Sequence, residues 1–354
     1  MTLNNYKQIQ KLGAEEILES IRQLPNQCQQ AFEEANKIKI PANYQNINNV
    51  VVNGMGGSGL GAHILKSVYK DQIKIPFEII NSYQLPKYVN NKTLYLVASY
   101  SGNTEEPLAT LNEAKKRGAK IVGFAAGGKL KSYLQKNKLP GYIFEPKFNS
   151  SGQPRMGVGY SLVGQLVLLS KLGLVKFSKH DLQKVIKALE QGEKRYDFGI
   201  KTTKNAAKQT AQKIKNKIPI IVACEHLAGN AHAVANQINE SAKHSSFYYL
   251  IPELNHHLLE GLKEPKGSNL VFIFFESKLF LPRNQKRIKI TKQILNKYKI
   301  SHVSFSTVQS QKINQAFEVL QFGSYVSFYM AIQNNVNPEI IPFVDFFKNQ
   351  LSKK

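Results

Sequence analysis

Two short stretches of this 354-residue chain carry the residue types that hold a phosphate. The first is NGMGGSGLGA, residues 53–62, with five glycines among its ten residues and Ser58 in the middle. It follows Ile47–Val52, an apolar run that reads as a buried strand, and precedes Ala62–Tyr69, which reads as the start of a helix. A glycine-rich turn between strand and helix points bare backbone N–H groups at an anion. This one is neither a G-x-G-x-x-G followed by an acid nor a P-loop closed by Gly-Lys-Ser/Thr. The second stretch, SYSGNTEE (99–106), groups the hydroxyls of Ser99, Ser101 and Thr104 around Gly102 where another helix opens. Hydroxyls, free helix amides and the positive end of the helix dipole suit a phosphate monoester without metal or lysine. Gly57, Ser58, Ser99, Ser101 and Thr104 are therefore the candidate phosphate ligands. Taken alone, the second stretch reads equally well as an ordinary turn with an N-cap. Two such loops on one sheet edge are much harder to explain that way.

The elements around these loops alternate. Strands are expected at 47–52, 77–80, 93–98, 120–125 and 141–145, with helices at 62–69 and 106–117 between them. A polar stretch, 146–157, leads to helices at 159–173 and 180–195. A second alternation follows: helix 202–215, strand 218–223, helix 229–242, strand 246–251, helix 256–262, strand 269–275, helix 284–297, strand 301–305, and helices 311–333 and 341–352. Strands alternating with helices at this spacing argue for α/β architecture, a parallel sheet with helices on both faces in each half. Ligands of such sheets sit beyond the carboxyl ends of the strands, where both loops fall. The expected organisation is a helical lead-in over 1–45, an α/β unit over 46–150, linker and helices over 151–200, and a second α/β unit over 201–354. Within the lead-in, Ile9, Leu12, Ile17, Ile21 and Leu24 recur with helical spacing until Pro25 interrupts them.

Composition narrows the function classes. The chain carries 48 Lys+Arg against 24 Asp+Glu, a net charge of +24. Only six of the basic residues are arginines (Arg22, Arg117, Arg155, Arg195, Arg283 and Arg287), whereas base reading relies on Arg. Nucleic-acid binding is not expected, and a positive field attracts sugar phosphates equally well. Cys28 and Cys224 stand far apart without metal-ligand spacing, so neither a disulfide framework nor a zinc site is expected. The N-terminal stretch lacks an apolar signal core. The apolar stretch 269–281 is interrupted by Glu276 and Lys278 and is short for a bilayer. No membrane partner and a cytoplasmic location are the expectations.

The two phosphate loops resemble the sugar isomerase (SIS) domain. With SSGQPRMGVGYSL (150–162), NQINESAK (236–243), PELNHH (252–257) and a terminal helix bearing Lys348, the order is similar to that of bifunctional phosphoglucose/phosphomannose isomerases, which carry two SIS domains of three-layer, flavodoxin-like form. The resemblance implies aldose–ketose isomerisation of glucose 6-phosphate and fructose 6-phosphate, with mannose 6-phosphate as a second substrate, without metal or cofactor. It implies Glu240 as the base that moves a proton between C2 and C1, a task that needs a carboxylate within hydrogen-bond reach. It implies His256 as the ring-opening residue, supplied by the other subunit of a homodimer, with His257 its alternative one residue on. It implies Arg155 facing the enediolate oxygens, a fixed guanidinium where charge develops. Lys348 would assist ring opening from a terminal helix that returns to the site. Each has a plainer reading: an exposed Glu240 paired with Lys243, a surface histidine, a linker arginine, one lysine among many. Glu225 and His226, at the end of strand 218–223, are a competing acid–base pair that reads as local structure. Two departures stand out. Ile341 occupies a position where the family commonly has a small polar residue linked to acceptance of mannose. The stretch AHAVANQINE (231–240) lacks the Arg and aromatic residues expected before the base. A non-catalytic phosphosugar sensor is the second reading. It lacks the DNA-binding helix pair that such regulators usually carry. An aminosugar deaminating isomerase is the third, without its amidotransferase domain.

Overall fold

A computed structural model describes residues 3–265 and 269–353. Three helices open the chain: α1 (Tyr6–Lys11), α2 (Glu15–Arg22) and α3 (Leu24–Asn36). Pro25 does not end a helix but sits in the first turn of α3, where its missing N–H costs nothing. The first half then runs β1 (Asn49–Gly54), α4 (Gly57–Val68), β2 (Phe77–Ile80), β3 (Thr93–Ala98), α5 (Glu105–Lys116), β4 (Lys120–Ala125), α6 (Gly128–Lys136) and β5 (Gly141–Ile143). Helices α7 (Val158–Lys171) and α8 (Lys179–Tyr196) follow. The second half comprises α9 (Ala206–Ile214), β6 (Ile218–Ala223), α10 (Ala228–Ala242), β7 (Phe247–Leu250), α11 (Leu254–His257), β8 (Leu270–Glu276), α12 (Pro282–Lys297), β9 (Ser301–Ser306), α13 (Lys312–Asn334) and α14 (Pro342–Leu351).

The strands form two sheets, ordered β2-β1-β3-β4-β5 and β7-β6-β8-β9, and every pairing is parallel. Each sheet therefore has its crossover point beside its first strand, between β1 and β3 and between β6 and β8. The central strands are apolar along their length (VVV in β1, LYLV in β3, FIFF in β8) because both their faces are covered. One continuous core joins α3, α4, α7, α10 and α13 to both sheets. A smaller cluster, with Val51, Tyr95, Val97, Leu111 and Leu134, lies on the other face of the first sheet under α5 and α6.

Two helices explain how the halves are held. In α7 the sequence VGYSLVGQLVLL is apolar on nearly every side, with Ser161 and Gln165 its polar exceptions, and every residue from Val158 to Leu169 is buried. Helix α13 is buried from Ile313 to Ile332. Fully burying a Leu or Val side chain contributes about 1.5–3 kcal/mol, so α7 packs as interior rather than as a linker. Helix α4 begins at Gly57, earlier than expected, and its Gly57, Gly59 and Gly61 pack tightly against neighbouring chain. Helix α6 was not expected from the sequence. The expected helix 256–262 is instead the short α11 and a separate 3₁₀ turn over Glu260–Lys263. No helix among the described residues is long and apolar enough to cross a membrane.

Candidate active site

The two phosphate loops meet at the carboxyl edge of the first sheet, where Gly54 of β1 pairs beside Ala98 of β3. Ser58, in the first turn of α4, accepts the Tyr100 N–H at 2.8 Å and so ties the first loop to the second. Ser99 is fully buried. Its Oγ lies 2.8 Å from Thr104 Oγ1 and accepts the Thr104 N–H at 3.2 Å. Ser99 thus shapes the loop from inside, whereas the Ser101 side chain faces solvent and accepts the Asn103 N–H at 3.2 Å. Thr104 is the N-cap of α5 and makes no side-chain bond to the helix, so the backbone N–H groups of Glu105 and Glu106 remain available to an anion, while Pro107 has none to offer.

Gly57 connects this cradle to the catalytic candidates. A Cβ at Gly57 would lie 2.7 Å from the backbone N of Arg155 and from the carbonyl carbon of Pro154, so only glycine lets the two segments touch. From there the Arg155 side chain, with no solvent exposure, enters the second half. It donates from Nε to Ser241 Oγ (3.0 Å), from Nη1 to Gln153 Oε1 (2.8 Å) and Glu240 Oε2 (3.3 Å), and from Nη2 to the carbonyls of Pro338 (2.7 Å) and Glu339 (2.8 Å). Burial pulls the guanidinium pKa below its ordinary value, while Glu240 and Glu339 oppose that pull. Gln237, one turn before Glu240 on α10, holds the Arg155 carbonyl at 3.1 Å and Ser324 Oγ at 2.9 Å. The Glu240 carboxylate keeps 27% exposure, enough to face a ligand while one oxygen is anchored.

The plainer reading of Glu240 assigned it to Lys243. Lys243 instead takes a left-handed conformation at the C-cap of α10 and donates to the Asn337 carbonyl at 2.7 Å. Burial, reinforced by Arg155, lowers its pKa to about 8. Gln153, Gln237 and Ser241 were missed from the sequence. Gln237 lies three residues before Glu240 on α10, where a shared helix face would have grouped the two.

His256 and Lys348 stand apart from this cluster. Helix α10 leaves the carboxyl end of β6 and runs back, so Glu240 ends at the opposite edge of the sheet. Asn239 bonds Ser246, just before β7, at 2.9 and 2.8 Å. His256 follows the carboxyl end of β7 and is exposed on α11. About twelve helical residues at roughly 1.5 Å each separate the two edges, so Glu240 and His256 of one chain are about 18 Å apart along the sheet. His257 is also exposed, with its ring 5.8 Å from that of Tyr249. Helix α14 buries none of its residues, and Lys348 is exposed on it. The root of α14 is nonetheless at the site, because Ile341, its N-cap, follows closely on the Pro338 and Glu339 carbonyls that hold Arg155. Glu225 and His226 do not pair with each other. His226 is buried with Nε2 2.7 Å from Gln315 Oε1, and Glu225 bonds to Leu281 N and Asn284.

Comparison with known proteins decides the family. A bifunctional phosphoglucose/phosphomannose isomerase of Caldicellulosiruptor bescii is 33% identical over 343 residues, spanning 95% of this chain and 99% of that protein. The chain belongs to this isomerase family. A second member, from Thermoplasma acidophilum, is 27% identical across 93% of this chain and 100% of its own length. Residues 203–351 match the family model for the bacterial phospho-glucose isomerase C-terminal SIS domain. A hypothetical protein of Thermus thermophilus shares the fold, with a TM-score of 0.74 at 17% identity over 98% of this chain and 94% of its own. In this isomerase-family chain, contacts run without a break from the first sheet's loops through Arg155 to Glu240.

Proposed function

We propose that the protein interconverts glucose 6-phosphate and fructose 6-phosphate, and mannose 6-phosphate with fructose 6-phosphate, by proton transfer through a cis-enediolate. The observation that carries this is the buried Arg155, which touches the phosphate-loop edge at Gly57 with its backbone and the Glu240 carboxylate with its side chain. The substrate phosphate sits on Ser58, Ser101, Thr104 and the first amides of α5. Its reacting end then reaches Glu240, which takes the proton from one carbon and returns it to the next. Arg155 cannot deprotonate and is fixed by its fork of bonds. It stabilises the enediolate oxygen where negative charge appears, at no cost of reorganisation. Ring opening falls to the partner subunit's His256, assisted by Lys348.

The dimer in this reading is supported by two features. Glu240 and His256 lie at opposite edges of one sheet, so a single chain cannot bring them together. Helix α14 also presents Phe343 (90% exposed), Phe346 and Phe347 to solvent, an apolar face that a second subunit would cover. The test is a coupled assay of the purified protein with fructose 6-phosphate and then mannose 6-phosphate, both with EDTA present. Turnover of both sugars supports the reading. Tight phosphosugar binding without turnover would favour a sensor, and loss of turnover in EDTA would reject the metal-free scheme.

A further inference from the structure

Arg155 meets α10 at three points, on three residues of one helix face. Gln237, Glu240 and Ser241 stand at i, i+3 and i+4, spacings that bring side chains together on a helix. Gln237 Nε2 donates to the Arg155 carbonyl at 3.1 Å, Ser241 Oγ accepts from Nε at 3.0 Å, and Glu240 Oε2 accepts from Nη1 at 3.3 Å. The first contact fixes the backbone of Arg155, the second the root of its guanidinium and the third one tip. Gln237 is anchored in turn, because Nε2 also donates to Ser324 Oγ at 2.9 Å, and that hydroxyl donates to the Leu320 carbonyl on the buried α13 at 2.9 Å.

The three contacts differ in kind. Glu240 keeps 27% exposure, whereas Gln237 keeps 1% and Ser241 none. Groups as buried as Gln237 and Ser241 do not touch a sugar. The contact with Glu240 is also the longest of the three. Its attraction is lost whenever the base holds the substrate's proton, because the carboxyl is then neutral. At that moment the enediolate carries the negative charge, and Arg155 has most to stabilise. The bonds from Gln237 and Ser241 do not depend on the charge of Glu240.

We infer that Gln237 and Ser241 are positioning residues, which hold the Arg155 guanidinium beside Glu240 through the whole proton transfer. Base and cation are then carried by one helix and not only by their mutual attraction. This rests on the proposed role of Arg155 at the enediolate. Such holding matters because a donor stabilises developing charge only when it is already in place, and a misplacement of about 1 Å costs up to about 100-fold in rate.

A double-mutant cycle on the full chain tests this, with thermal melts and steady-state kinetics on fructose 6-phosphate. Gln237→Met and Ser241→Ala should each lower kcat about 10-fold and leave KM within about twofold of the wild type. In an Arg155→Lys background, where the fork is already gone, the same changes should lower kcat by less than about twofold, while their effect on the melting temperature stays the same. Should Gln237→Met fail to fold, Ser241→Ala, which removes a single oxygen, reads the same cycle. Wild-type kcat in the folded single variants overturns the inference. So does an equal loss of kcat in both backgrounds, which a merely structural role would give, and so does a raised KM, which would mean contact with the substrate. Arg155→Lys with wild-type kcat overturns the proposed role of Arg155 and the inference with it.

Discussion

Arg155 Nη1 lies 3.3 Å from Glu240 Oε2 across 85 residues of sequence, and the guanidinium that makes this contact is fully buried. A buried charge held by one carboxylate, two side-chain oxygens and two carbonyls is expensive to disturb. Arg155→Ala would strand the Glu240 carboxylate and the Pro338 and Glu339 carbonyls. It should destabilise the protein by about 3 kcal/mol, because the partners of a broken buried pair are left uncompensated. Arg155→Lys keeps the charge but not the fork, and should fold better while losing about 100-fold in kcat. Thermal melts and steady-state kinetics of the two variants separate these effects. A Lys variant with wild-type kcat would remove Arg155 from the reaction.

The phosphate loops contain two kinds of hydroxyl. Ser101→Ala with Thr104→Ala should raise KM more than it lowers kcat, because phosphate is gripped equally in the ground and transition states. Ser99→Ala should cost about 1 kcal/mol of stability, since its buried Oγ holds Thr104 in two ways. An unchanged KM in the double variant would count against the cradle.

Sites shared across a dimer complement one another. Glu240→Gln and His256→Ala homodimers should each be inactive. When they are mixed and allowed to exchange subunits, about a quarter of wild-type activity should return, because half the dimers are mixed and each holds one intact site. No recovery after demonstrated exchange would place His256 outside the partner's site.

Acid should loosen the contact between the halves. The His63 ring of α4 meets the His232 ring of α10 edge-on, with centroids 4.3 Å apart. Burial, with His232 and Lys66, lowers the His63 pKa from 6.5 to about 4, and burial lowers that of His232 as well. The folded protein therefore binds fewer protons here than the unfolded chain. The stability this contributes is complete above pH 6.5 and is lost as pH falls toward 4. The melting temperature should drop across that window, and His63→Gln should flatten the drop. An identical pH profile in the variant would assign the acid sensitivity elsewhere.

Ile341 caps α14 two residues past the Glu339 carbonyl that holds Arg155. Ile341→Thr offers a hydroxyl at that point and a better N-cap. It should raise kcat/KM for mannose 6-phosphate relative to glucose 6-phosphate. An unaltered ratio would detach this position from epimer choice.

Much of the fold was legible because both periodicities are strong: continuous apolar strands, helices between them, and glycine turns at the strand ends. Both phosphate loops were legible for the same reason, since Gly, Ser and Thr at a strand-to-helix junction advertise free amides. Other parts were not. Helix α6 is a short amphipathic run after two glycines, which local propensity alone does not mark. The fork around Arg155 depends on backbone carbonyls of Pro338 and Glu339, and carbonyls leave no trace in residue types. The face of α14 reads as inward-pointing in the sequence because Phe343, Val344, Phe346, Phe347 and Leu351 are apolar, yet none of the helix's residues is buried. The partner of Glu240 was also hidden, because helical spacing offered Lys243 while the tertiary fold brought Arg155.

The most direct test of the proton shuttle is solvent exchange. Wild-type enzyme and Glu240→Gln would each be incubated with fructose 6-phosphate in D₂O, and deuterium at C1 of the ketose and C2 of the aldose followed by NMR. The expected result is incorporation by the wild type, and a variant that still binds phosphosugar but exchanges at about a thousandth of that rate or less. Exchange at the wild-type rate in Glu240→Gln would show that another group carries the proton.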